Sequence, residues 1–339
     1  MKKASQGNFA YGVMPQAFYD SVSHWYQKRH GAEIRPDWVT YSPGLIVGIK
    51  MLMEAVTHVG DNVIIQSPVY FNFSLIIKRN GRNILENTLL YENGIYRIDF
   101  EDLERKAADP RTTMLIFCNP HNAWSREDVE RVAEICNRNH VFVVSDEAHS
   151  DILFQGTRHI PFVSLDQKTA ENSASINSAG KTFNTNGLYV SYAVIPNRQV
   201  RDAFENAYAN HHFDFSMIGV PAQIAAYEHG DTYTDELNQY LWGNITWLEE
   251  FLKENMPDVK MVKPNATYLM WLDFHGWGMN SEQVDAFFRS AGVALNRGDI
   301  YGDAGDGFMR INIACAREVL QAAMESVCGR YRDMFRKDQ

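Results

Sequence analysis

Short, unbroken apolar runs alternate with longer stretches of helical periodicity along most of the chain. Runs at 62–66, 114–118, 141–145, 173–177 and 190–195 read as strands. Several carry no polar interruption, as expected of strands covered on both faces. Between them, 46–57 and 126–138 show helical spacing. The second follows Ser125, a suitable N-cap, with Glu127 and Asp128 in the first turn. Strands alternating with helices predict crossover units, hence an α/β fold with a mainly parallel sheet.

The texture changes near residue 235. A long helical stretch, 234–255, precedes MVKPNATYLMWLDF, which reads as strand, turn, strand. A helix at 281–291, a glycine-rich loop, a strand at 308–313 and a last helix from about Ala316 complete the chain. The expected organisation is a short N-terminal segment 1–19, a large domain 20–235 and a smaller C-terminal α+β domain 236–339.

Composition narrows the function classes. The 42 acidic residues outnumber the 32 basic ones, for a net charge of −10. That disfavours nucleic acid as the main partner, because phosphate backbones need a basic surface. No apolar run reaches the length of a membrane helix, and no apolar stretch follows the first two lysines as a secretory signal requires. Four scattered cysteines do not form a disulfide framework. The expected setting is reduced and cytoplasmic.

G-x-G-x-x-G after a strand, the nucleotide P-loop and H-E-x-x-H are all absent. Cys118, His121 and His149 lack the spacing of a zinc cluster, and no metal is expected. The informative residues follow strands, where open α/β sheets bind ligands. Ser145-Asp146-Glu147-Ala148-His149 offers a carboxylate. It suits a general base, a metal ligand or a cation's partner, and equally a cap for the next turn. Lys181 lies in Asn177-Ser178-Ala179-Gly180-Lys181, among small residues that leave room for a bulky adduct. A partly desolvated lysine is the better amine nucleophile, although most lysines are simply solvated. Asn122, in Cys118-Asn119-Pro120-His121-Asn122, can donate to a ligand oxygen, or merely belong to a turn. Ser42-Pro43-Gly44-Leu45-Ile46 enters a helix whose free N–H groups suit an anion, or only start the helix. Together these supply an amine, a carboxylate, an oxygen donor and a phosphate cradle, the four groups that pyridoxal 5′-phosphate needs.

The segments FAYG (9–12), DWVTYSPGLIVGIK (37–50), DNVIIQSPVYFNF (61–73), CNPHN (118–122), VVSDEAHSD (143–151), SAGKTFNTNGL (178–188), ATYLMWLDF (266–274) and GDGFMRINIAC (305–315) occur in one order along the chain. On these the chain resembles fold-type I pyridoxal-phosphate enzymes of the class I/II aminotransferase superfamily, and most of all the MalY/PatB branch of cystathionine β-lyases and C–S lyases. The resemblance implies a mainly parallel, seven-stranded type of sheet with helices on both faces. It implies that Lys181 binds the cofactor covalently and later moves the substrate α-proton. Asp146 would pair with the ring nitrogen, Asn122 with the phenolic oxygen, and Tyr70 would stack on the ring. Gly44, Leu45, Ile46 and Ser178 would hold the phosphate, and Arg310 would grip the substrate carboxylate. His149, where many aminotransferases carry tyrosine, marks the lyase branch among the cofactor contacts. Tyr11 would reach the phosphate of a neighbouring subunit, so a homodimer with shared sites is expected.

Relatives usually carry a longer segment before FAYG. They also continue the Asn-Pro-His-Asn motif with proline, a small residue and glycine, whereas Asn122 here meets Ala123-Trp124-Ser125. Tyr189 stands where many have Lys or Arg, and Gly180 where serine is frequent. The expected activity is β-elimination of a thiol from an S-substituted L-cysteine to pyruvate and ammonia. The alternatives are an aminotransferase of small amino acids, or a cofactor-binding relative with a truncated N-terminus and little or no activity.

Overall fold

The computed structural model describes residues 12–121, 124–262 and 264–335. Helix α1 (Gln16–His30) precedes β1 (Val39–Ser42), α2 (Leu45–Val56), β2 (Asn62–Ile65), α3 (Asn72–Arg79) and β3 (Asn83–Glu86). A hairpin, β4 (Leu90–Glu92) and β5 (Ile95–Arg97), leads to α4 (Phe100–Ala107), β6 (Thr112–Cys118) and α5 (Arg126–Arg138). Next come β7 (Phe142–Asp146), α6 (Gln167–Glu171), β8 (Ser173–Asn177), β9 (Ser191–Val194), α7 (Arg198–Asn210) and α8 (Gly219–His229).

Seven strands form one sheet in the order β1-β9-β8-β7-β6-β2-β3. Pairing is parallel from β3 through β2, β6 and β7 to β8, and antiparallel at β9 and β1. The unbroken apolar runs are explained by burial on both faces. Val63, Ile65, Met114, Ile116 and Val144 face one core with α2, α3 and α7. Ile64, Leu115, Phe117 and Val143 face the opposite core with α4 and α5. Helices α1 and α8 cover Tyr192 and Val194 of β9 on that second face. Gly48 lets α2 lie close to the sheet, because a Cβ there would stand 2.2 Å from Ile176 Cδ1.

Since β6, β7 and β8 are parallel neighbours, the polar clusters that follow them emerge along one edge. Strand β1 is antiparallel to β9, which is antiparallel to β8, so β1 also delivers Pro43 and Gly44 to that edge.

The remaining chain packs around a second core. Helix α9 (Asp231–Asn255), α10 (Ser281–Ser290) and α11 (Arg317–Phe335) lie against strands β10 (Lys260–Met261), β11 (Leu269–Asp273), β12 (Asn296–Arg297) and β13 (Phe308–Asn312). Their order is β10-β11-β13-β12, all antiparallel. Helix α9 starts earlier than its apolar spacing predicts, because the turn begins at Gly230, whose carbonyl accepts from Thr234 N at 2.9 Å.

Candidate active site

The converging strand ends line a cavity of about 670 Å³, to which the C-terminal part of the chain adds Tyr268, Trp271, Tyr301 and Arg310. Of the residues singled out from the sequence, Lys181, Asp146, Tyr70, Gly44, Leu45, Ile46, Ser178, His149 and Arg310 all line it. Tyr11 and Asn122 lie outside the described residues.

Asp146 is the last residue of β7. Its carbonyl accepts from Asn119 N at 2.8 Å, which ties it to the end of β6. Its Oδ1 accepts from Ala148 N at 3.1 Å. Burial pushes its carboxyl up to about 6, against the opposing pull of the Ala148 N–H and the Lys181 charge. Lys181 follows β8 in a tight turn closed by Phe183 N to Ala179 O at 2.9 Å and Thr185 N to Gly180 O at 3.0 Å. Burial lowers its ammonium below the ordinary lysine range; Asp146 opposes this and Arg310 adds to it. The amine and the carboxylate thus share one cavity, each partly desolvated and each steadied by the other's charge.

The α2 N-terminus opens on the same cavity. No side chain caps it, and its ladder begins only with Gly48 N to Gly44 O at 2.9 Å. The first-turn N–H groups are therefore free for an anion. Ser178 stands beside them, its Oγ accepting from Gly180 N at 3.2 Å. Glycine at 180 has a local reason. A Cβ there would stand 2.6 Å from Asn186 Oδ1, and Asn186 Nδ2 donates to Gly180 O at 3.0 Å. Asn186 and Tyr189 also line the cavity.

Arg310 projects from β13, opposite Trp271 of β11. Its Nη2 donates to Asn296 Oδ1 at 2.8 Å, and its Cζ lies 4.9 Å from the Tyr301 ring centre. Its Nε–H is buried without a partner, and among the described residues no carboxylate pairs with it. A guanidinium fork fixed in this way is ready for a carboxylate ligand. His149 packs edge-on against Tyr268, with ring centres 5.2 Å apart. Burial, with Lys181 and Arg310 nearby, drives its imidazole down to about 3, so it is neutral at pH 7. Its Nδ1 also lacks a partner. Tyr70 is 39% exposed at the mouth, held by Asn72 Nδ2 at 2.5 Å.

Sequence reasoning did not single out Tyr96, Trp271, Tyr268 and Tyr301 as site residues. Trp271 Nε1 donates to Tyr96 Oη at 3.0 Å, joining the β4–β5 hairpin to the C-terminal sheet as one aromatic wall. Cavity-facing aromatics in short strands and turns carry no sequence mark that separates them from core residues. Trp124 donates to Cys118 O at 3.0 Å and stacks on His121, with ring centres 5.6 Å apart. Among the described residues no cluster suits a metal ion, and no helix is long and apolar enough to cross a membrane.

Comparison with known proteins identifies the family. The chain is 40% identical to cystathionine beta-lyase PatB of Bacillus subtilis over 332 residues, covering 96% of this chain and 86% of that protein. It is 29% identical to protein MalY of Escherichia coli over 322 residues, covering 93% and 82%. The crystal structure of cystalysin from Treponema denticola, which contains a pyridoxal 5′-phosphate cofactor, superposes with a TM-score of 0.95 at 29% identity, covering 98% of this chain and 86% of that one. The family model for aminotransferase class I and II matches residues 2–327, and the chain belongs to that family.

Proposed function

We propose that this protein is a pyridoxal-phosphate-dependent C–S β-lyase. It eliminates a thiol from an S-substituted L-cysteine and yields pyruvate and ammonia. The likeness to PatB and MalY supports the lyase reading over an aminotransferase. The observation that carries it is the meeting, in one cavity, of a desolvated lysine, a strand-end carboxylate, an uncapped helix start and an unpaired guanidinium.

These groups fit the cofactor. The free N–H groups of Leu45 and Ile46, with Gly44 and Ser178, suit its phosphate. Asp146 suits its ring nitrogen, Tyr70 the ring face, and Lys181 the aldehyde. The same reading gives Asn122 the phenolic oxygen and His149 a place beside the ring. When bound, pyridoxal phosphate supplies an aldehyde that condenses with amines and a cationic ring that accepts the electron pair left at the substrate Cα.

The chain's own residues do the rest. Arg310 holds the substrate carboxylate and so fixes Cα. Lys181 Nζ, whose lowered proton affinity leaves more of it neutral, takes the α-proton. Asp146 remains mainly ionised at pH 7 and keeps a negative charge in the cavity. Neutral His149 lines the cavity without adding a further positive charge to those of Lys181 and Arg310. Loss of the thiolate from Cβ and addition of water balance the products as thiol, pyruvate and ammonium.

The reading extends to the assembly. It divides the chain into 1–19, 20–235 and 236–339, pairs it as a homodimer in which Tyr11 serves the neighbouring copy's phosphate, and places it in the cytoplasm. The test is Lys181→Ala. Elimination is expected to fall by at least about 10³-fold, with loss of the visible band of the lysine-bound cofactor. Wild-type turnover in the variant would refute the assignment of the amine.

A further inference from the structure

Outside the cavity, Glu147 and Asp151 are carboxylates buried without lining it. Glu147 is 0% and Asp151 4% exposed. Each follows a residue of the site closely: Glu147 is bonded to Asp146, and Asp151 lies in the loop that leaves β7. Burying a carboxylate costs several kcal/mol unless donors surround it, so its donors show what it is built to hold.

Glu147 accepts from Ser175 Oγ at 2.6 Å, Phe162 N at 2.9 Å, Ser145 Oγ at 3.0 Å and Tyr26 Oη at 3.1 Å. These donors knit β7, β8 and α1 together. Asp151 serves a different segment. Its Oδ1 accepts from Trp25 Nε1 at 3.0 Å and lies 3.2 Å from His30 Nε2, both on α1. Its Oδ2 accepts from Thr182 Oγ1 at 3.1 Å. Thr182, 2% exposed, is bonded to Lys181. Lys181 itself sits in a turn otherwise held by backbone bonds, by Ser178 and Asn186 at Gly180, and by Ala179 N donating to Gln223 Oε1 of α8 at 3.4 Å. The Thr182 hydroxyl, next in sequence to Lys181, ties that turn through Asp151 to α1.

We propose that Asp151 is a positioning residue for Lys181: clamped by Trp25 and His30 of α1, its carboxylate holds the Thr182 hydroxyl and so fixes where the reacting amine stands relative to Asp146. This rests on the reading of Lys181 as the reacting amine. Without the tether the fold survives on its apolar core, but Lys181 gains freedom and solvent. The consequence is a loss of rate with little loss of substrate affinity, because Arg310 is untouched.

Thr182→Ser and Thr182→Ala differ by one hydroxyl; Thr182→Val, which restores bulk, is the second hydroxyl-free variant. Tyr331→Phe is the stability control, since it removes another hydroxyl contact, 3.0 Å to Asp258 Oδ2, from a residue of the separate C-terminal core. Two readouts are taken. In the cofactor-free chain, competitive acetylation followed by peptide mapping gives the apparent pKa of Lys181. In the loaded enzyme, kcat and KM for S-benzyl-L-cysteine are measured separately. The Ala and Val variants are expected to raise the Lys181 pKa toward that of free lysine and to lower kcat about tenfold with KM within twofold. The Ser variant is expected to match wild type, and Tyr331→Phe to leave Lys181 labelling unchanged. Wild-type labelling and kcat in both Ala and Val would overturn the proposal, as would equal shifts in Tyr331→Phe. Absence of turnover in the wild-type enzyme would count against the lyase reading, while the labelling result would still decide the role of Asp151.

Discussion

At the scale of single residues, the site holds charges at a cost to the fold. Asp146 keeps its proton to about pH 6 in the folded chain, whereas an unfolded aspartate loses it near pH 4. Between those values the folded state binds more protons, so stability falls as pH rises through that window and stays lower above it. In the cofactor-free protein Asp146→Asn is therefore expected to gain about 1–2 kcal/mol at pH 8 and nothing at pH 3.5, while elimination is lost. Urea melts at the two pH values check this; a variant less stable than wild type at pH 8 would contradict it. Arg310 offers a second test. Arg310→Ala is expected to raise KM for amino-acid substrates about 10–100-fold, and Arg310→Lys to recover little, since an ammonium cannot reproduce the fork. An unchanged KM would move the carboxylate site elsewhere. Asp146 was legible because it closes a largely apolar run, and Lys181 because it stands among small residues just after a strand. Tyr268 and Tyr301 were not, because only the folding of the C-terminal part onto the sheet edge brings them to the cavity.

Elements set these residues in place, and α2 matters most. Its start faces the cavity, and Gly48 keeps it tight against β8. Gly48→Ala would press a methyl on Ile176 Cδ1 and Ser42 Oγ. Overpacking of this kind costs about 1–3 kcal/mol and displaces the free N–H groups. Lower stability and about tenfold weaker cofactor binding are expected, by denaturant melt and spectroscopic titration. Wild-type affinity would show that the α2 start does not carry the phosphate. Local signals made some elements readable. Helix α5 runs over the span expected, Arg126–Arg138, because Ser125 and Asp128 cap each other in a full capping box. Strands β3 to β5 went unread because they are short and largely half-exposed or exposed, so neither an apolar run nor strict alternation marks them. Helix α1 went unread too, its apolar positions being separated by polar residues.

For the whole molecule, alternation of strand and helix foretold a parallel sheet but not its order. That β6, β7 and β8 lie side by side is a property of the crossovers, and it alone gathers the three strand-end clusters. The homodimer reading predicts a species of twice the 38.8 kDa chain mass in sedimentation; a monomer that turns over at full rate would contradict shared sites. The central claim is chemical, and product analysis without an added keto acid tests it most directly. Purified protein with pyridoxal phosphate and L-cystathionine or S-benzyl-L-cysteine is predicted to release thiol, pyruvate and ammonia in equal amounts, and Lys181→Ala to release none. Turnover that requires a keto-acid acceptor and frees no thiol would contradict the account.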